Sequence, residues 1–410
     1  MLTETLENGL RVAVCGRRGL ESAGMSFHVG YGGLSEPKSI MGVAHFLEHL
    51  LFDGTKKRSA KDLREAFLTT GIYWNGVTNF DCTRYDLHCH RSFFGKALGI
   101  LSDITQNSTL GSESVENERK TILSEISKWA TNQEVLLSYR VAASLFRNER
   151  FNHLIQGTEE TVGRIRQEDL SESYGENYGP KNAYLAIYGA VDERRALGLA
   201  EKLFSEHSGE SVRKKSIQVE RRAKAKHMTF RQKGTAEATI ALTFDTSRFS
   251  SIGKIGKKVA TDVLARILDN RLRNELREKR GLAYSMYASH RTFAQFGFIE
   301  CSAGVRANDA KLAKKVMLDE CEKLGKGEVG KEEVDKTKIN LLILRKLSFE
   351  NSLSIATGMS YFGLFGAPDF LTSYLKILKS ISLDEVRSAA LECLDTEDCG
   401  TVSFLPKIGR

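Results

Sequence analysis

The chain has 410 residues, 41% hydrophobic and 27% charged, with a formal net charge of +8 and a pI near 9.0. That length exceeds one typical core and suits two domains of about 200 residues, and no apolar run approaches the roughly 20 residues a membrane-spanning helix needs. Its one dense basic run, from Arg213-Lys214-Lys215 to Lys226, has no interleaved aromatics and falls where a linker is expected, so the charge reads as a solvated connector and not as a nucleic-acid surface.

In chain order, Met1 to Leu10 carry acidic side chains and lack both an apolar signal core and the Arg-rich look of an organelle leader, so a cytoplasmic location is expected. Strand signals at 9–14 and 23–29 precede a helix containing His45-Phe46-Leu47-Glu48-His49. Ser59 caps a helix over 60–68 that Gly71 ends. Strand-like runs follow at 73–80 and 83–90. In the second, alternation puts His88 and His90 on one face and Cys89 on the other, so they are strand residues and not a ligand cluster. Helices are expected near 93–107, 113–130 (with Ser112 as cap), 134–147 and 167–177, then a strand at 183–188 and a helix after Asp192.

The second half repeats the plan: a strand at 237–244, a helix at 256–277, strands near 282–290 and 296–304, and helices near 308–323 and 331–347. Ile165-Arg166-Gln167-Glu168-Asp169-Leu170 before Ala183-Tyr184-Leu185 parallels Ile381-Ser382-Leu383-Asp384-Glu385-Val386 before Thr401-Val402-Ser403, an offset of 216 residues. The expected fold class is α+β: two similar duplicated domains, each a largely antiparallel sheet with helices on one face. The first spans 1–205, a linker 206–226, and the second 227–410. The seven cysteines are odd in number and lack CxxC spacing, which fits a reducing compartment.

The chemistry concentrates in the first half. One helical turn apart, His45 and His49 can reach a single cation. Glu48 stands beside them, suited to take a proton from water at a metal. Catalytic zinc usually takes three protein ligands, and the candidate third lies in the helix from Ser112 to Ile126, where Glu118 and Glu125 are two turns apart on one face. Between His49 and Glu125 lie 75 residues. The H-x-x-E-H order is the inverted form of the common zinc-protease helix motif.

This H-x-x-E-H helix, followed at that distance by E-x6-E, resembles the pitrilysin/insulinase-type zinc metallopeptidases, closest to the short branch that includes mitochondrial processing peptidase and bacterial relatives. The resemblance implies that His45, His49 and Glu125 hold one Zn2+ per chain, that Glu48 is the general base, and that Glu118 orients the site from behind. A second signature, within Leu276-Arg277-Glu278-Lys279-Arg280-Gly281-Leu282-Ala283-Tyr284-Ser285, implies that Arg277 and Tyr284 reach substrate across a closed chamber. A third, Trp74-Asn75-Gly76-Val77-Thr78-Asn79-Phe80-Asp81, implies an edge strand that pairs with an extended peptide, with Asn75 holding its backbone. Here the chain departs from the pattern, with Gly76 and Asp81 where relatives more often have Ala or Ser and Glu.

The second half carries no His in its corresponding helix, Val259 to Leu268, so one half would hold the metal and the other contribute contacts. The expected function is a zinc endopeptidase acting on unstructured peptides, as a homodimer or a heterodimer with a related chain. The alternative is a non-catalytic structural or partner subunit, as the family also contains. Those members lose zinc residues that are all present here. No GxSxG, P-loop or dinucleotide GxGxxG competes.

Overall fold

Strand Ala183–Gly189 is buried along its whole length, and its alternating residues serve two different cores. Ala183, Leu185 and Ile187 face one, while Tyr184, Ala186 and Tyr188 face the other. A strand apolar on both sides must lie inside a sheet covered on both faces, and this one does. The computed structural model describes residues 1–208, 219–233, 235–246 and 255–407. Part of the expected linker, 209–218, including Arg213-Lys214-Lys215, lies outside the described residues.

The strands, in chain order, are β1 (Leu2–Thr5), β2 (Arg11–Gly16), β3 (Ser22–Val29), β4 (Tyr73–Thr78), β5 (Thr83–His90), β6 (Phe146–Arg147), β7 (Ala183–Gly189), β8 (Glu220–Arg221), β9 (His227–Gln232), β10 (Glu237–Asp245), β11 (Ala283–Thr292), β12 (Gly297–Arg306) and β13 (Gly400–Pro406). One sheet has the order β1-β2-β7-β3-β5-β4 and another β11-β12-β10-β13-β9. β2 runs parallel to β7, and β9 parallel to β13; the remaining pairs in both sheets are antiparallel. Taken in order, β2, β3, β4, β5 and β7 correspond to β9, β10, β11, β12 and β13 with the same neighbours and directions. From Arg11 to His227 is again 216 residues, and the α+β duplication stands.

The chain forms two compact units, each assembled from three segments: Met1–Lys128, Leu154–Ile217 and Arg345–Thr372 in the first, Trp129–His153, Gln218–Leu344 and Ser373–Arg410 in the second. This differs from contiguous domains at 1–205 and 227–410 because the two repeats exchange a helix. Gln133–Leu145, from the first half, packs on β10 and β13; Ser352–Leu364, from the second, packs on β3 and β7. Helices therefore cover both faces of each sheet, not one. The fit in the first unit is close: a Cβ on Gly24 would lie 2.5 Å from the Leu353 backbone, and one on Gly363 would lie 2.3 Å from the Tyr184 ring. Ile355, Ala356, Met359 and Leu364 are buried there, each worth about 1.5–3 kcal/mol apart from the small alanine. The hydroxyls of Ser360 and Tyr361 donate to the Tyr184 carbonyl and the Asp81 carboxylate, both at 2.8 Å. Asp81 thus anchors the exchanged helix. In the second unit the matching contact is Ser144 Oγ on Thr243 Oγ1 at 2.8 Å.

Local signals were largely followed. Ser59 forms a capping box with Asp62, and Gly71 closes that helix with a left-handed φ of 62°. Ser112, expected as a cap, is instead the first residue of the helix Ser112–Trp129, whose first turn closes from Val115 N–H onto the Gly111 carbonyl. The α-helix expected over 256–277 ends at Leu272 and continues as a π-helical turn, Arg273–Glu278. The last residues of the expected linker are structured. Glu220–Arg221 pairs with Phe146–Arg147, Arg221 meets Asp398 at 2.9 Å, and Arg222 Nε donates to the Ala143 carbonyl at 3.0 Å.

Candidate metal centre

The helix Val43–Leu50 has only eight residues and is too short to hold its shape alone. Its start is fixed from outside. Buried Glu36 accepts from Gly42 N–H at 3.0 Å and Ala44 N–H at 2.9 Å, filling the orphan donors of the first turn with a negative charge where the helix dipole favours one. Gly42 adopts φ 98°, and a Cβ there would lie 2.3 Å from the Gln156 carbonyl oxygen. Phe46, Leu47 and Leu50 sink into the core, which fixes the rotation of the helix and turns His45, Glu48 and His49 to a cavity of about 470 Å3.

The helix Ser112–Trp129 meets this face with both of its spaced carboxylates. Glu125 Oε2 lies 3.7 Å from His45 Nε2 and 3.9 Å from His49 Nε2. The ligand atoms of His45, His49 and Glu125 all fall within 4.8 Å of one another, and theirs is the one such trio among the described residues. Ligand atoms about 2.1 Å from a tetrahedral ion are about 3.4 Å apart, so the Glu125 oxygen already stands within about 0.5 Å of that spacing from each imidazole nitrogen. The protonation pattern fits as well. Glu118 Oε2 accepts from His49 Nδ1 at 2.8 Å, which leaves the Nε2 lone pair pointing at the trio. Burial, then the neighbouring His49, pushes His45 down to about 3, keeping it the neutral imidazole that can ligate. For His49 burial acts the same way, but the hydrogen bond it donates to Glu118 and the charges of Glu48 and Glu125 outweigh it and hold the ring above its usual value.

Glu48 is not one of the trio. Its Oε2 accepts from the Thr78 hydroxyl at 2.8 Å, across from the helix on β4. Burial pushes its carboxyl up, countered by Thr78 and His49 and reinforced by Glu125. Asn75 lines the same cavity on β4, which is the last strand of its sheet and pairs only with β5 among the described residues. An aromatic wall completes the cavity: Trp74 packs against Phe52 at 4.7 Å and Phe67 at 5.2 Å. Glu36, Thr78 and this wall were not singled out from sequence. The only available signal was period-two alternation on 73–78, which puts Trp74, Gly76 and Thr78 on one face.

The other expected residues belong to the second unit. Arg277 lies in the π-helical turn, half exposed, 3.9 Å from Glu278. Tyr284 is 61% exposed on edge strand β11, and its hydroxyl donates to the Glu237 carboxylate. In the helix Ile255–Leu272 of that unit no metal-binding trio occurs among the described residues. His88 and His90 lie on β5 with buried Cys89 between them, and all seven cysteines are free. No helix among the described residues is long and apolar enough to cross a membrane.

Residues 12–159 match the family model described as Insulinase (Peptidase family M16), and 164–341 match the one described as Peptidase M16 inactive domain. A Rickettsia felis protein named as an uncharacterized zinc protease is 27% identical over 396 residues, covering 94% of this chain and 93% of its own length. The beta subunit of bovine mitochondrial-processing peptidase is 37% identical over 210 residues, 50% of this chain and 42% of that one. The crystal structure of a protease from Helicobacter pylori superposes with a TM-score of 0.90 over 99% of both chains at 22% identity, a likeness of fold.

Proposed function

Because the chain belongs to the insulinase family of peptidases, M16, we propose that it is a zinc-dependent endopeptidase that hydrolyses unstructured peptides. The observation that carries this reading is the convergence of His45, His49 and Glu125, with the Glu48 carboxylate beside them but outside the trio. His45 Nε2, His49 Nε2 and Glu125 Oε2 would hold zinc, and Glu118 would fix the His49 tautomer. When bound, zinc supplies Lewis-acid polarisation of the scissile carbonyl and makes water a competent nucleophile at neutral pH. Glu48 takes the proton from the attacking water and returns it to the departing amine, so that water and one peptide bond become a carboxylate and an amine. An extended peptide would add to the open edge of β4, where backbone groups recognise a chain whatever its sequence and Asn75 is at hand. The wall of Phe52, Phe67 and Trp74 offers apolar surface to a side chain beside the scissile bond.

We assign Arg277 to gripping a peptide carbonyl and Tyr284 to donating to the oxyanion, with its hydroxyl exchanging Glu237 for substrate. With one zinc trio and one Arg–Tyr pair per chain, a homodimer in which each pair serves the other subunit's zinc closes on itself. Seven free cysteines support a reducing, cytoplasmic setting.

The test is zinc content of the purified protein together with cleavage of a quenched flexible peptide, with and without chelator. Stoichiometric zinc and chelator-sensitive cleavage are expected. A protein that binds no zinc, or binds it and cuts nothing, would instead be a partner subunit.

A further inference from the structure

Trp74, Gly76 and Thr78 share the face of β4 that turns to the helix Val43–Leu50, and each does something different there. Trp74 packs on Phe52 and Phe67. Thr78, buried, donates its hydroxyl to Glu48 Oε2 at 2.8 Å. Gly76 supplies empty space: a Cβ there would lie 2.6 Å from Glu48 Cγ and Oε1 and 2.9 Å from Cδ. The Glu48 side chain therefore lies across bare backbone with its carboxylate clipped at the far end. Backbone conformation does not demand this glycine, whose φ is outside the left-handed region; the room does.

The Thr78 proton is directed by its neighbours. Thr83 Oγ1 lies 2.9 Å from the Tyr31 carbonyl and 3.4 Å from Thr78 Oγ1. A hydroxyl has one proton, and that of Thr83 goes to the nearer carbonyl. The Thr78 proton goes to the charged acceptor at 2.8 Å, the stronger kind of hydrogen bond. A free glutamate side chain has three rotatable bonds, and fixing it costs rotamer freedom. Here the loss is taken in the folded protein, before any substrate arrives.

Resting on the reading of Glu48 as the base, we infer that Gly76 and Thr78 form a slot that positions the Glu48 carboxylate. The strand that offers its edge to the peptide thereby also sets the base in register with it. Both are positioning residues: they act through Glu48 and touch no reacting atom.

The experiment compares zinc-loaded Gly76→Ala, Thr78→Val, Thr78→Ser and Glu48→Gln, with each of the first two also combined with Glu48→Gln, on a quenched peptide. Gly76→Ala and Thr78→Val should lower kcat about 10–100-fold, the usual loss for an outer-shell partner, with KM within about twofold. Both should retain zinc, because the trio is untouched. Thr78→Ser keeps the hydroxyl and should run near the wild-type rate. In the Glu48→Gln background neither change should lower the residual rate further. A crystal structure of Gly76→Ala should show the Glu48 carboxylate displaced from Thr78, a readout independent of turnover. Wild-type kcat in Thr78→Val and Gly76→Ala alongside an inactive Glu48→Gln would overturn the slot and leave the base standing. Wild-type turnover in Glu48→Gln would remove the base and the slot together. Loss of the same factor in the Glu48→Gln background, or an equal loss in Thr78→Ser, would show that the residues do not act through the carboxylate.

Discussion

Removing Glu118 should weaken zinc binding in a graded way that its single contact allows to be estimated. Its Oε2 accepts from His49 Nδ1 at 2.8 Å, a charge-assisted bond worth about 1.5–3 kcal/mol net, against about 0.5–1.5 kcal/mol for a neutral one. Gln at 118 keeps an oxygen that can accept but loses the charge, so the difference is about 1–1.5 kcal/mol. Since 1.4 kcal/mol is tenfold, Glu118→Gln should raise the zinc Kd about tenfold. Ala removes the whole bond, frees the His49 ring to turn, and should cost about 10–100-fold. Competition with a chromogenic chelator at neutral pH measures both. Urea denaturation should show little change, because the carboxylate is partly exposed and lies outside the core. Unchanged zinc affinity in Glu118→Ala would refute the reasoning, and so would a larger loss for Gln than for Ala.

Glu125→Gln should lose zinc on dialysis against chelator while Glu48→Gln keeps it and loses about 10²–10⁴ in turnover; equal zinc retention in Glu125→Gln and wild type would eliminate the third ligand. Mixing Glu48→Gln with Tyr284→Phe, each nearly inactive alone, should restore one working site per mixed dimer, and verified mixed dimers without activity would exclude a site shared between subunits. A flexible peptide should be cut far faster than the same segment inside a stably folded domain, and comparable rates would argue against a closed chamber. The buried His207 ring donates from Nε2 to the Tyr178 carbonyl at 2.7 Å and is pushed down to about 4, by burial first. The unfolded ring titrates near 6.5, so the unfolded state takes the proton first as pH falls. Stability is full above about 6.5, declines towards about 4 and then levels, by roughly 3 kcal/mol in all; His207→Gln should flatten that part of the urea-midpoint profile, and an unchanged slope would contradict it.

What could be read from the sequence followed from how far apart the cooperating residues are. His45 and His49 are one helical turn apart, and Glu118 and Glu125 two turns, so local periodicity already aligned each pair. The Ser59 cap and Gly71 stop act within a few residues and were equally legible. Glu36 under the metal helix and Thr78 against Glu48 were not, since each is brought to its partner by tertiary packing and no local pattern marks a buried carboxylate as a cap. Repeat matching found the duplication but not the exchange of Gln133–Leu145 and Ser352–Leu364. Both helices bury apolar residues, and periodicity says that a face is buried without saying against what.

That exchange sets a timetable for the newborn chain. β7 leaves the ribosome with Tyr184 and Tyr188 on a face whose cover, Ser352–Leu364, is still about 160 residues from being made. At about 5–20 residues per second this is a wait of roughly 8–30 s, long compared with the collapse of a nascent sheet. The first unit must therefore pass through a stage in which all three candidate ligands exist but one side of its sheet is bare. The exchange also means that a fragment ending at the linker carries the whole zinc trio without the helix that finishes its fold, whereas a fusion restoring 345–372 should yield a self-sufficient unit.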